Sequence, residues 1–97
     1  MNEEFKQKIA KLRKKYGELE VDLDGETVVL KPPMAFYEKL LVATSLQDRK
    51  TLSEVLVDGI KEMLVKDLKI SKDDAVTIMI AYGDKLIDKV MKAFLPE

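Results

Sequence analysis

Residues 51–69, TLSEVLVDGIKEMLVKDLK, decide the fold. Leu52, Val55, Leu56, Ile60, Met63, Leu64 and Leu68 recur at three- and four-residue steps, which puts them on one face of a helix. Thr51 followed three residues later by Glu54 reads as a capping box that starts this helix. Glu62 stands one turn before Lys66, a favourable charge order on the wet side. Gly59 falls inside the apolar stripe, although a mid-helix glycine costs about 1 kcal/mol relative to alanine. On a buried face that cost implies a close neighbour, and a second helix is expected to cross there. The segment is a core helix around which the rest of the chain packs.

Working back from it, residues 34–46 form a second helix, opened by Pro32-Pro33 and followed by the polar connection LQDRK. Met34, Phe36, Tyr37, Leu40, Leu41, Val42, Ala43 and Leu46 occupy nearly every side of it. Such a helix is either sandwiched in a core or offers apolar surface to a partner. Before it, residues 18–31 read as a hairpin, with ELEVDL and ETVVLK flanking Asp24-Gly25. Asp-Gly is a preferred pair for a two-residue type I′ turn. That register pairs Leu23 with Glu26, Val21 with Val28 and Leu19 with Leu30, so the apolar residues share one face. The run Asp22-x-Asp24-Gly25-Glu26 lacks the further oxygen ligands of a calcium loop, and no metal site is assigned.

Residues 2–16 read as a first helix with Phe5, Ile9, Leu12 and Tyr16 in a narrow seam. Asn2 is the expected N-cap and Gly17 the expected C′ residue. Its remaining surface carries Lys6, Lys8, Lys11, Arg13, Lys14 and Lys15, six bases against two acids up to Tyr16. From Gly17 to Leu30 there are five acids and no base. The bases are therefore expected to neutralise the hairpin, and a nucleic-acid face is the alternative reading.

On the other side of the central helix, Ser71 and Asp74 mark the start of a helix over 72–95. Val76, Met79, Ile80, Ile87, Val90, Met91 and Phe94 form its stripe, with Gly83 among them and Pro96 as its stop. It is either one helix kinked at Gly83-Asp84, with Gly59 and Gly83 facing each other at a crossing, or two helices.

Ninety-seven residues with 46% hydrophobic and 36% charged content make a single globular domain over 1–97. The expected fold class is α+β, mostly helical, with a two-stranded antiparallel hairpin packed on three or four helices. No cysteine and no histidine removes thiol nucleophiles, histidine acid–base chemistry and the usual zinc sites. The four glycines form no phosphate-cradling loop. No enzyme activity, cofactor or metal is expected. The chain shows no signal-peptide run and no membrane-crossing stretch, so a cytoplasmic protein without a membrane partner is expected.

The hairpin DGETVVLKPP, followed by a helix, a polar break and two further helices, resembles the small tail assembly chaperones of bacteriophages. The likeness is one of layout over residues 18–95, to which the basic helix is an addition, and no functional residue carries over. The resemblance implies a domain that coats an aggregation-prone tape-measure protein and recruits tail tube protein. Surplus apolar surface, near-neutral charge and the absence of reactive groups make the expected function a non-enzymatic protein-binding adaptor or assembly chaperone using apolar helical surface. Its candidate partner-binding residues are Met34, Phe36, Tyr37, Leu40 and Leu41. Surplus apolar surface on 34–46 and 75–82 implies a homodimer or small homo-oligomer. The alternative is a nucleic-acid-binding module using the six bases at positions 6 to 15, although a net charge of −1 argues against nucleic acid as a partner.

Overall fold

A computed structural model describes residues 2–95; the expected stop at Pro96 lies outside them. The elements run α1 (Glu3–Gly17), β1 (Leu19–Leu23), β2 (Glu26–Leu30), α2 (Met34–Ser45), α3 (Arg49–Leu68) and α4 (Lys72–Phe94). The fold is α+β and mostly helical, with one two-stranded antiparallel hairpin among the described residues.

The hairpin register is Leu19 with Leu30, Val21 with Val28 and Leu23 with Glu26, as the Asp24-Gly25 turn dictates. Both turn residues have positive φ, 53° at Asp24 and 95° at Gly25. The Gly25 amide donates to Asp22 Oδ1 at 2.9 Å, which locks the turn. Leu19, Val21, Leu23 and Leu30 are buried on the face turned to the helices, β1 against α4 and β2 against α3. Two side-chain ties hold the sheet at its ends. Asp24 accepts from the Tyr82 hydroxyl at 3.0 Å and pairs with Lys85 at 3.4 Å, which clips the turn to α4. Asp67 on α3 accepts from the Lys31 amide at 2.7 Å, where the second strand ends.

α3 is the hub. Leu56, Ile60, Met63 and Leu64 are buried along it, and α2, α4 and β2 all pack on it. It begins before the expected Thr51 cap. Asp48 is the N-cap, accepting from the amides of Lys50 and Thr51 and from the Thr51 hydroxyl, so Arg49 and Lys50 are helical. Thr51 therefore spends its hydroxyl on Asp48, and the capping box does not form. Asn2 caps α1 through the Phe5 amide and Ser71 caps α4 through the Asp74 amide, both as expected. Gly17, by contrast, is the last helical residue of α1, followed by the extended Glu18.

The crowding at Gly59 is present, with a different neighbour from the one expected. The Phe36 ring of α2 lies on it, and Gly83 does not. Among the described residues, the Met79 methyl of its own helix is the side-chain atom that lies near the space above Gly83. α4 runs unbroken through Gly83. Its inward face is Ala75, Leu86, Val90 and Ala93, so Val76 and Ile80 stay outside, Ile80 at 82% exposure. Tyr16, Tyr37 and Phe94 form an aromatic cluster where α1, α2 and α4 meet, with Tyr37 stacked on Phe94 at 6.4 Å between centroids.

Candidate interaction surfaces

The five residues expected to meet a partner divide between core and surface. Phe36, Tyr37 and Leu40 are buried and belong to the core cluster with Ile60, Leu64 and Leu86. They are therefore unavailable to a partner in the folded chain, which corrects the expected site. Helical phase explains the division: positions 36, 37, 40 and 43 fall on one side of α2, and that side meets α3. Met34 and Leu41 lie on the outer side, joined by Val42 and by Leu46 at the helix end. Leu41 is 58% and Leu46 70% exposed. The apolar surface of α2 is thus Met34, Leu41, Val42 and Leu46.

α1 behaves differently from the other helices. None of its residues is buried, and only its last turn docks. There the Tyr37 hydroxyl donates to the Tyr16 carbonyl at 2.9 Å, and the two rings lie 5.0 Å apart. Burial, and then the neighbouring Tyr16, push the Tyr37 phenol up to about 12. Phe5 and Leu12 stand about half exposed along the free part of the helix, with Ile9 partly covered between them.

Lys6, Lys8, Lys11, Arg13, Lys14 and Lys15 are all exposed. Ion pairs among the described residues join Lys61 to Asp58, Lys66 to Asp67, Lys85 to Asp24 and Lys92 to Asp88. None involves α1, so among the described residues its bases form no direct ion pair with the hairpin acids. Asp24 takes its lysine from α4 instead.

A third surface was not visible as a motif. A groove of about 540 Å³ runs between α2 and α3, with Pro33, Ala35, Val55 and Gly59 as its accessible apolar lining and the buried Phe36 and Met63 beneath them. Glu54, Asp58 and Glu62, one helical turn apart, line its α3 side. Lys39 stands on the α2 side and Lys66 near one end. The signal that could have revealed it is the four-residue spacing of those acids beside Gly59.

The remaining shifted groups have structural causes. The hydrogen bond from the Tyr82 hydroxyl to the Asp24 carboxylate raises the phenol, and the Thr51 hydroxyl lowers Asp48. Among the described residues no cluster of His, Cys, Asp or Glu is placed to hold a metal ion, and no helix is long and apolar enough to cross a membrane. No family model, no curated protein and no solved structure matches the chain.

Proposed function

We propose that the chain is a non-catalytic protein-binding module, an adaptor or assembly chaperone, that receives its partner on the outer face of α2. The observation that carries this reading is the exposure of Leu41 and Val42 on a helix whose inner side is core, with Leu46 exposed at its C-cap. Each such side chain is worth about 1.5–3 kcal/mol when fully buried, so covering them together provides a strong drive for association.

The test uses surface positions only. Leu41→Glu and Leu46→Glu should leave stability within about 0.5 kcal/mol of the parent chain. A photo-crosslinker at position 42 in the source cell should join to one protein. That protein, purified, should bind the parent chain and lose binding to Leu41→Glu. Equal binding to both chains, or no crosslinked protein, refutes the proposal.

A second reading is favoured by one observation, the six bases of α1, none of which forms an ion pair among the described residues. It assigns the helix to a nucleic acid. Binding to DNA or RNA that weakens steeply with salt, and is lost when the six bases are neutralised, would support it.

A further inference from the structure

We propose that the protein closes into a twofold dimer in which α1 of each copy lies in the α2/α3 groove of the other. The first observation is that α1 has an apolar strip with no cover. Phe5 is 52% exposed, and Ile9 and Leu12 continue the strip over the next two turns. A 15-residue helix is marginal in water on its own, so a covered strip contributes to its stability.

The cover cannot come from the same chain. Glu18 alone separates Gly17, the end of α1, from Leu19, the start of β1. The bond from Tyr37 to the Tyr16 carbonyl fixes the same end from the side. A rigid helix held at its last turn has no slack with which to fold back over α2 and α3.

Charge selects the occupant. Pairing α1 with α1 of a second copy would set six bases against six, a like-charge contact. The α2/α3 groove offers the opposite sign beside an apolar floor. Its acids, Glu54, Asp58 and Glu62, span eight residues of α3, about 12 Å at helical rise. On α1 the strip is flanked by Lys8 and Lys15 on one side and by Lys6 and Arg13 on the other. Each flank spans seven residues, about 10 Å. Strip and apolar lining therefore match in polarity. One basic flank of α1 matches the acidic α3 side in length and opposite sign, while the other flank faces the α2 side, which carries Lys39. Glu54 and Glu62 hold no ion pair among the described residues, and the Asp58 carboxylate, shared with Lys61 at 3.6 Å, remains largely exposed. Lys39 and Lys66 reduce the acidity of the groove without reversing it. Reciprocal exchange makes two such contacts and leaves no open end for polymerisation.

The experiment is sedimentation equilibrium on the full chain at tens of micromolar. The expected mass is twice the 11.1 kDa of one chain, and added salt should weaken the dimer. Two variants reverse the charges on each side: Glu54→Lys with Glu62→Lys, and Lys6→Glu, Lys8→Glu, Arg13→Glu and Lys15→Glu together, so that whichever flank of α1 faces the acids is reversed. All six positions are exposed, and circular dichroism should show both variants folded. Each alone should dimerise about tenfold or more weakly. An equimolar mixture should restore dimerisation, because each copy then offers the charge that the other lacks. A monomer throughout, a dimer unaffected by either reversal, or a mixture that fails to recover overturns the proposal. So does micromolar nucleic-acid binding by a monomeric chain that is lost with the four α1 reversals. Leu41→Glu should leave the dimer unchanged, which separates this contact from the partner face of α2.

Discussion

Replacing Gly59 with alanine sets two effects of opposite sign against each other. Inside a helix the substitution gains about 1 kcal/mol of propensity. At this position the new Cβ would sit 2.5 Å from Phe36 Cδ1 and closer still to Cε1. Carbon atoms pack best at about 3.5–4.0 Å, so the ring has to retreat by roughly 1 Å or more. It is 5% exposed and packs edge-on against Tyr37 at 5.6 Å between centroids. The free direction is the α2/α3 groove, and moving there exposes the ring. Overpacking of this kind costs about 1–3 kcal/mol. With about 2 kcal/mol lost and about 1 gained, Gly59→Ala should destabilise by about 1 kcal/mol. In a domain of this size that lowers Tm by about 4–8 °C.

Thermal and urea unfolding followed by far-UV circular dichroism measures the effect, with an unchanged urea slope as the sign that two-state behaviour holds. Phe36→Leu supplies the control, since it removes the ring from above Gly59. On that background Gly59→Ala should stabilise, and the double-mutant cycle should show a coupling of about 1–2 kcal/mol. A gain of about 1 kcal/mol for Gly59→Ala in the parent chain would refute the seating of Phe36 on α3.

Gly83→Ala should do the opposite, stabilising by about 1 kcal/mol in the same unfolding assay, because it lies in a continuous helix. Its Cβ would meet only the Met79 methyl at 3.8 Å, an ordinary contact. Tyr37 predicts a loss of stability in alkali. The folded chain holds the phenol proton up to about 12, above the ordinary tyrosine value, so the stabilisation is complete below about pH 10. It is then lost as pH rises through about 12. Tyr37→Phe should flatten that decline in urea titrations at successive pH values, and should cost about 1 kcal/mol at neutral pH through the lost bond to Tyr16. Asp67→Ala should cost about 1–3 kcal/mol in the same titration, since the side chain is 8% exposed and serves the Lys31 amide. Leu40→Glu should unfold the chain where Leu41→Glu does not, which circular dichroism distinguishes.

The hairpin was legible because its information is local. Asp24-Gly25 specifies the turn, the turn specifies the register, and the register places Leu19, Val21 and Leu30 on one face. The start of α3 was misread for an equally local reason, since Asp48 and Thr51 both look like caps. The carboxylate accepts from two amides and also engages the competing hydroxyl, so Asp48 prevails. The ties Lys31–Asp67 and Tyr82–Asp24 cross 36 and 58 residues, and no periodicity or turn signature announces them. On α2 nearly every position is apolar, so period alone could not say that Phe36, Tyr37 and Leu40 face inward while Leu41 and Val42 face out.

α1 shows the same limit in its functional form. An amphipathic pattern states that a strip of the helix is better covered than wet; it does not state which molecule covers it. In α3 the strip is satisfied within the chain, by α2, α4 and β2. In α1 the fold stops after Tyr16, leaving Phe5 and Leu12 half exposed and every flanking base without an ion pair among the described residues. The unsatisfied strip and the unsatisfied charges lie on the same helix, so one contact that supplies apolar surface and acids together resolves both. A duplex or single strand supplies the acids without a continuous apolar floor, whereas the α2/α3 groove supplies Val55 and Gly59 beside Glu54, Asp58 and Glu62. That pairing of needs on one element is the physical reason for assigning α1 to a protein surface ahead of a nucleic acid.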